Sequence, residues 1–321
     1  MRTKAVRLYG VNDLRLEEFE LPEIGDSEIL AHVISDSICM STYKAASQGS
    51  AHKRVPDDIA ENPVIVGHEF CGEIVAVGAK WRHKYKAGDR FVIQPALNYK
   101  GSLAAPGYSY RYIGGDATYI VIPNEVMEMD CLFPYAGEAY FYGSLSEPMS
   151  CIVGGYHANY HVKQGTYVHE MGIREGGNLA ILAGAGPMGL GAVDYAVHCD
   201  RKPALVVVTD IDTARLDRAA SIVTPEEAAA QGVKLVYLNT NPCARSRTER
   251  ASTTYSYTRR CVPWSRWRTA CLRATAASTF SRDRPTRRFP RCSISITYII
   301  PARISSARPA ATAPICSNPS L

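Results

Sequence analysis

The chain has 321 residues, of which 21% are charged, and its formal net charge is +5. This length accommodates two domains of ordinary size, each with its own core. The positive charge does not indicate a nucleic-acid surface, because residues 1–241 carry 29 acidic and 21 basic side chains, whereas residues 242–321 carry 2 acidic side chains and 15 arginines. We therefore expect a mildly acidic globular protein with a small-molecule partner and no nucleic-acid partner.

The sequence predicts neither export nor a membrane anchor. Residues 1–7 lack the apolar core of a signal peptide, and no run of about 18 apolar residues could cross a membrane. The ten cysteines are therefore expected in a reducing cytoplasm, as core residues or metal ligands.

Short strand-like segments fill the first 130 residues. Residues 4–9, 14–19 and 28–35 are examples, and Gly10 and Pro22 interrupt them. Strands at this spacing predict a β-barrel or sandwich. The first predicted domain is residues 1–160.

The pattern changes near residue 145. Ser146 and Pro148 suit the cap and first turn of a helix. A strand at 178–183 then leads through a glycine-rich turn into a helix, and further strands at 204–209 and 233–238 alternate with helices. This alternation predicts a parallel sheet, which we assign to a Rossmann domain over residues 161–241.

Residues 242–321 have a different composition. They contain no glycine, lysine or histidine, and 63 of the 80 are Ala, Arg, Ser, Thr, Pro, Cys or Trp. A GC-rich gene translated out of frame yields such residues, so we interpret this tail as a frameshift product that leaves the Rossmann domain truncated. The alternative is a basic disordered tail. Resequencing the DNA around codon 241 distinguishes the two.

A metal centre is predicted from three residues that lie far apart in the sequence. Cys39, His68 and Glu147 supply a thiolate, an imidazole and a carboxylate, a set that suits a catalytic zinc with one open position. Glu69 is an adjacent acid that either ligates the metal or supports a ligand. Each residue alone has a simpler structural explanation, and their sequence contexts favour the metal.

Those contexts resemble the zinc-dependent medium-chain alcohol and polyol dehydrogenases. Residues 62–78 are similar to the zinc-histidine signature of that family, residues 39–41 to its first-ligand segment, and Glu147 with Pro148 to the third-ligand position of the polyol branch. The resemblance covers roughly residues 1–240. It implies a GroES-like β-barrel followed by a Rossmann domain, a homo-oligomer, and a substrate proton passed by Ser41.

The departures from the family pattern also have consequences. Thr42 stands where the family often has Asp, and Lys44 replaces a histidine that can extend the proton relay. No cysteine occurs between Cys71 and Cys131, so the lobe that binds a structural zinc has no counterpart. We expect one zinc per chain.

A dinucleotide-binding turn is predicted at Gly184, Gly186 and Gly189, directly after a strand and at the start of a helix. Asp210 ends the next strand, where a carboxylate binds ribose hydroxyls and repels a 2′-phosphate, so NAD(H) is favoured over NADP(H). Met188 is expected to pack near the nicotinamide.

The substrate signals are basic side chains. Lys53 and Arg54, with Lys44, are candidates to hold a phosphate. Residues 37–45 and 94–99 look most like the L-sorbose-1-phosphate reductases.

The sequence thus predicts a zinc oxidoreductase that transfers a hydride between NAD(H) and a secondary alcohol or ketone of a polyol or sugar phosphate. The type reaction converts L-sorbose 1-phosphate to glucitol 6-phosphate. The alternatives are another alcohol or polyol dehydrogenase of the family, an inactive truncated fragment, and a zinc-free quinone reductase, which Cys39, His68 and Glu147 disfavour.

Overall fold

The structure is a computed structural model that describes residues 1–162 and 165–241, together with the backbone of residues 294–297. The described residues divide into two compact units, 1–154 and 155–297. The hypothesis of a frameshifted tail, 242–321, lies outside the described residues apart from that one short segment.

The first unit is built mainly from short strands. Its strands are β1 (Arg2–Gly10), β2 (Asp13–Glu20), β3 (Ile29–Asp36), β4 (Val64–Ile65), β5 (Phe70–Val77), β6 (Arg90–Ile93), β7 (Tyr119–Ile122) and β8 (Leu132–Pro134). Its helices are α1 (Met40–Gln48), α2 (Asn124–Glu128), α3 (Tyr140–Ser144) and the first turns of α4 (Ser146–His157), which continues past the division between the units.

These strands form two antiparallel sheets, with orders β2-β1-β4 and β7-β3-β5-β6-β8. Alternate residues of β3 are buried, which places Ile29, Ala31 and Val33 on the face toward the core. Phe70 and Phe91, from neighbouring strands, meet edge to face with ring centroids 6.3 Å apart in the same core. The two sheets are joined where Val6 N donates to Asp116 O at 2.8 Å.

The second unit contains the parallel sheet. Its remaining elements are β9 (Tyr160–Val162), β10 (His169–Met171), β11 (Asn178–Leu182), α5 (Pro187–His198), β12 (Leu205–Asp210), α6 (Thr213–Ile222), α7 (Pro225–Ala230), β13 (Lys234–Asn239) and β14 (Ile294–Thr297). The sheet order is β13-β12-β11-β14, and every neighbouring pair is parallel. This is the order 3-2-1-4 of the first four strands of a Rossmann domain.

Two features of this unit differ from the sequence interpretation. Strands β9 and β10 form an antiparallel hairpin that the sequence pattern does not reveal. The backbone of β14 pairs with β11 at the place of the fourth Rossmann strand, although residues 242–321 show no sustained strand pattern. Backbone hydrogen bonds require no side-chain periodicity, which explains how four residues can join the sheet.

Candidate metal centre and dinucleotide turn

Three elements of the first unit bring the predicted metal-binding residues together. Cys39 is the N-cap of α1, His68 and Glu69 lie between β4 and β5, and Glu147 is in the first turn of α4. The positive end of a helix dipole favours a thiolate or carboxylate at both helix N-termini. The loop before β5 turns at Gly67, whose φ of +87° lies in the left-handed region.

Cys39, His68 and Glu69 form the tightest donor group. Each offers one ligand atom, and these atoms all lie within 4.8 Å of one another. His68 and Glu69 are buried, with 4% and 6% of their surfaces exposed, and Cys39 is half-buried. Sulfur, nitrogen and oxygen donors at this separation fit a zinc ion.

Glu147 lies outside this group and pairs with Glu69. Its pKa is raised to about 7, first by burial and then by the negative charge of Glu69, to which it also hydrogen-bonds. Cys151 Sγ, one turn along α4, lies 3.4 Å from Glu147 Oε1. Whereas the sequence assigns Glu147 to the metal and Glu69 a supporting role, the distances place Glu69 nearer the other two donors.

Burial favours the uncharged forms of Cys39 and His68. It raises the pKa of the Cys39 thiol to about 11 and lowers the pKa of His68 to about 4. A neutral imidazole is ready to ligate a metal, whereas the thiol must lose its proton first. Metal binding to this pocket is therefore accompanied by proton release.

Hydroxyl groups surround the histidine. Ser41 Oγ lies 3.2 Å from His68 Nε2 and 3.0 Å from Cys39 Sγ. Thr42 Oγ1 lies 3.3 Å from His68 Nδ1, and Ser37 Oγ donates to Glu69 Oε2. The sequence predicts Ser41 but not the contacts of Thr42 or Ser37, which fix the orientation of the imidazole and the carboxylate.

Tyr108 is a further site residue that the sequence analysis does not single out. Its hydroxyl lies 2.7 Å from Ser41 Oγ and 3.1 Å from His68 Nε2, and burial raises its pKa above the ordinary value for tyrosine. The only sequence signal is the abundance of tyrosine around residues 99–112. That signal does not distinguish Tyr108 from its neighbours.

The predicted basic residues gather around His52, next to Tyr108. The pKa of buried His52 is lowered, first by burial and then by the positive charges of Lys44, Arg54 and Lys53. Arg54 lies over the Tyr108 ring, with its guanidinium carbon 5.8 Å from the ring centroid, and its charge also acts on Glu147. Arg54 and Lys44 are half-buried, whereas Lys53 is exposed. The arrangement is a cluster of basic side chains beside the metal-binding residues.

The second unit has the geometry of a dinucleotide turn. Gly184 follows β11, Gly186 caps α5, and a side chain at Gly189 would collide with the Gly184 carbonyl. A side chain built at Gly186 would meet no atom within 4 Å, which leaves space there for a phosphate to approach the backbone. Met188 is half-buried in the first turn of α5. These features fit a dinucleotide cofactor.

Asp210 ends β12 beside this turn, and its side chain is occupied by backbone donors. Its Oδ1 accepts hydrogen bonds from Ile211 N at 2.7 Å and Asp212 N at 3.1 Å, and its Oδ2 accepts from Ala185 N at 3.4 Å. The carboxylate is thereby held at the carboxyl end of the sheet, where such ligands bind.

Comparison with known proteins supports the resemblance to the alcohol and polyol dehydrogenases. Residues 25–130 match the protein family described as the Alcohol dehydrogenase GroES-like domain. This part of the chain is an alcohol dehydrogenase GroES-like domain. The predicted resemblance to the zinc-dependent alcohol and polyol dehydrogenases, and the fold that it implies, are confirmed.

Two similar proteins act on sugar phosphates, according to their names. The alcohol dehydrogenase-like chain is 55% identical to the L-sorbose 1-phosphate reductase of Klebsiella pneumoniae over 217 residues, which is 68% of this chain and 53% of the reductase. It is 53% identical to the mannitol-1-phosphate 5-dehydrogenase of Aliivibrio fischeri over 239 residues, 74% of this chain and 56% of that protein. The chain thus spans about half the length of these relatives.

The fold also matches solved structures. The crystal structure of 2R,3R-butanediol dehydrogenase from Bacillus subtilis aligns with a TM-score of 0.54 and 23% identity, over 77% of this dehydrogenase-like chain and 66% of that protein. Among the residues that the structure describes, no helix is long and apolar enough to cross a membrane.

Proposed function

We propose that the protein is a zinc-dependent oxidoreductase that transfers a hydride between NAD(H) and a secondary alcohol or ketone of a polyol or sugar phosphate. The observation that supports it most is the group of Cys39, His68 and Glu69 donors with the Ser41 hydroxyl 3.2 Å from His68 Nε2. The type reaction interconverts L-sorbose 1-phosphate and glucitol 6-phosphate, in line with the name of the Klebsiella relative. A cytoplasmic setting belongs to the same proposal, because it keeps the Cys39 thiol reduced.

The zinc would be held by Cys39, His68 and one carboxylate of the Glu69–Glu147 pair. The distances favour Glu69 as the third ligand, with Glu147 holding its carboxylate in place by a hydrogen bond. Bound there, zinc supplies Lewis-acid chemistry that polarises a carbonyl or acidifies an alcohol. We expect one such ion per chain and no structural zinc.

The remaining steps belong to side chains. Ser41 Oγ is the hydroxyl that relays the proton, because it lies beside the ligand atoms of both Cys39 and His68. It accepts the proton of an alcohol substrate as its own proton passes to the neighbouring hydroxyl of Tyr108 and on to solvent, and the reverse exchange protonates a ketone. Burial of His68 and Glu69 excludes water from the reacting carbon and strengthens the electrostatic interactions around it.

The basic residues would bind the phosphate end of the substrate. Arg54 is the main candidate, because a half-buried guanidinium offers paired donors to a phosphate. Lys44 and Lys53 add positive charge around His52. A neutral polyol would gain nothing from this cluster of basic side chains, so its presence favours a sugar phosphate over a simple polyol.

The cofactor would bind at Gly184, Gly186 and Gly189, with Met188 near the nicotinamide. Asp210 favours NAD(H), because its fixed carboxylate would hydrogen-bond ribose hydroxyls and repel the extra phosphate of NADP(H). The family association into homo-oligomers remains a proposal for this chain.

One experiment tests the proposal. The purified chain should contain about one zinc per molecule and should oxidise NADH in the presence of L-sorbose 1-phosphate. Cys39→Ser should lose both zinc and activity, whereas Cys131→Ala, a change at a buried cysteine of the barrel core, should keep both. A chain that holds zinc but fails to oxidise NADH would contradict the proposed activity and favour the inactive-fragment alternative.

A further inference from the structure

The hydroxyl of Tyr108 is joined to Ser41 more closely than Ser41 is joined to any metal-binding residue. The Tyr108 Oη to Ser41 Oγ distance is 2.7 Å, whereas Ser41 Oγ lies 3.0 Å from Cys39 Sγ and 3.2 Å from His68 Nε2. A serine hydroxyl rotates freely about its Cβ–Oγ bond unless a partner fixes it. Tyr108 is the partner at the shortest distance.

The Ser41 and Tyr108 hydroxyls contact each other directly, and the His68 imidazole is not needed to connect them. Both hydroxyls also lie near His68 Nε2, at 3.2 Å for Ser41 and 3.1 Å for Tyr108. A ring nitrogen that ligates a metal cannot accept a hydrogen bond at the same time. Once a metal takes Nε2, the two hydroxyls lose this acceptor and retain each other.

The ring of Tyr108 is held from several sides. His52 stacks on it with centroids 5.7 Å apart and planes 11° from parallel, and Arg54 lies over it at 5.8 Å. His68 packs against it with centroids 4.7 Å apart. Only 6% of the Tyr108 surface is exposed. A side chain so constrained can define the position of the hydroxyl that it contacts.

We infer that Tyr108 is the positioning residue of the reaction, because its hydroxyl fixes the Ser41 hydroxyl in the orientation that relays the substrate proton. This inference rests on the proposed function and extends it to a residue 67 positions from Ser41. Arg54 lies over the same ring, so the Tyr108 side chain lies between the proposed phosphate-binding residue and the Ser41 hydroxyl.

The test uses Tyr108→Phe, which removes only the hydroxyl, with Tyr112→Phe on the same loop as the matched control. If the chain turns over, Tyr108→Phe should lower kcat by about tenfold while KM changes by less than about twofold, the signature of lost alignment in the transition state. Tyr112→Phe should change neither value.

Two readouts do not require turnover. The first readout uses the chain labelled with 3-fluorotyrosine at its 19 tyrosines. The fluorine signal of Tyr108 is identified by its loss in Tyr108→Phe, and that of Tyr112 by its loss in Tyr112→Phe. Ser41→Ala should shift the Tyr108 signal and leave the Tyr112 signal in place. In the cobalt-loaded chain, Tyr108→Phe and Ser41→Ala should both move the cobalt–thiolate absorption band, because both alter the hydrogen bond between Ser41 Oγ and Cys39 Sγ.

The outcomes are distinct. A Tyr108 fluorine signal that does not respond to Ser41→Ala overturns the inference, and so does a cobalt band that Ser41→Ala moves and Tyr108→Phe leaves unchanged. A parent chain without any cobalt–thiolate band contradicts the proposed metal centre, while the fluorine measurement still decides whether Tyr108 holds Ser41. Loss of the other tyrosine signals would reveal unfolding, in which case His52→Gln, which removes a stacking partner of the ring and keeps the Tyr108 hydroxyl, is combined with Ser41→Ala and judged by the same fluorine shift.

Discussion

His52 is a buried histidine with positive charges on several sides. Burial, Lys44, Arg54 and Lys53 all lower its pKa below the ordinary value of about 6.5. Between about pH 6.5 and the lower pKa of the folded state, the unfolded chain binds a proton at this residue and the folded chain does not. Proton uptake therefore favours unfolding, and the stability from this residue is lost as the pH falls from the unfolded pKa through the folded pKa.

We expect His52→Gln to reduce the loss of unfolding free energy between pH 7 and pH 5. Urea unfolding at a series of pH values measures it, and His83→Gln, at an exposed histidine, controls for the change of residue type. An unchanged slope in His52→Gln would show that another group carries the effect.

Glu69 and Glu147 should contribute differently to zinc affinity, because only Glu69 belongs to the close group of donor atoms with Cys39 and His68. Because Glu69 lies with Cys39 and His68 while Glu147 supports it, Glu69→Gln should weaken zinc binding by about 100-fold and Glu147→Gln by about tenfold. Competition with a chromogenic chelator measures both affinities. The reverse order would restore Glu147 as the third ligand.

The sequence identifies the residues whose chemistry is unusual in itself. Cys39, His68 and the glycines of the dinucleotide turn are recognisable from residue type and local spacing. Tyr108 is not, because its contact with Ser41 spans 67 residues and depends on where a loop folds back. The sequence also does not show which of Glu69 and Glu147 lies nearer to Cys39 and His68, because this depends on distances between separate elements.

Among the elements, the loop between β4 and β5 sets the position of His68. Gly67 has a φ of +87°, and a side chain there would collide with the Asp36 carboxylate and approach Asp116 N to 2.6 Å. Gly88 has a φ of +86° with no atom within 4 Å of a built side chain. The two glycines have nearly the same left-handed φ, so a side chain would strain the backbone equally at both, but only at Gly67 would it also collide with neighbouring atoms.

Gly67→Ala should therefore destabilise the protein by about 3–4 kcal/mol and reduce zinc binding. Gly88→Ala should cost about 1–2 kcal/mol, which is the backbone term alone. Chemical denaturation with zinc titration measures both. Equal costs for the two variants would show that the contact with Asp36 relaxes without penalty.

Strands and helices differ in how far the sequence predicts them. β11 and β12 are recognisable from their apolar runs, which are typical of buried parallel strands. Glycine and aspartate at the ends of these runs mark where the strands stop. The β9–β10 hairpin is not, since its residues are largely exposed and show no alternation. β14 also escapes prediction, because it joins the sheet through backbone hydrogen bonds.

At the scale of the molecule, each unit has its own core and its own predicted ligand. We expect two unfolding transitions by calorimetry, one raised by zinc and the other by NADH. A ligand at 100 times its Kd stabilises its unit by about 2.7 kcal/mol.

Single substitutions separate the two effects. Cys39→Ser should abolish the zinc shift and keep the NADH shift. Gly186→Val should do the opposite, because its side chain would occupy the space where a phosphate approaches the backbone, and a built Cβ there meets no atom within 4 Å. One transition that responds equally to both ligands would contradict independent units.

The partners of β1 have a consequence for synthesis on the ribosome. This strand pairs with β2 immediately after it, yet Thr3 Oγ1 also donates to Tyr119 O, 116 residues later, and Thr118 N donates to Lys4 O. At 5–20 residues per second, roughly 6–23 s pass before that partner exists. β4 covers the edge of β1 at Arg7 and Leu8 once residue 65 has emerged, whereas the edge at Thr3 and Lys4 stays open until residue 119 leaves the exit tunnel. This open edge can pair with a wrong strand during synthesis.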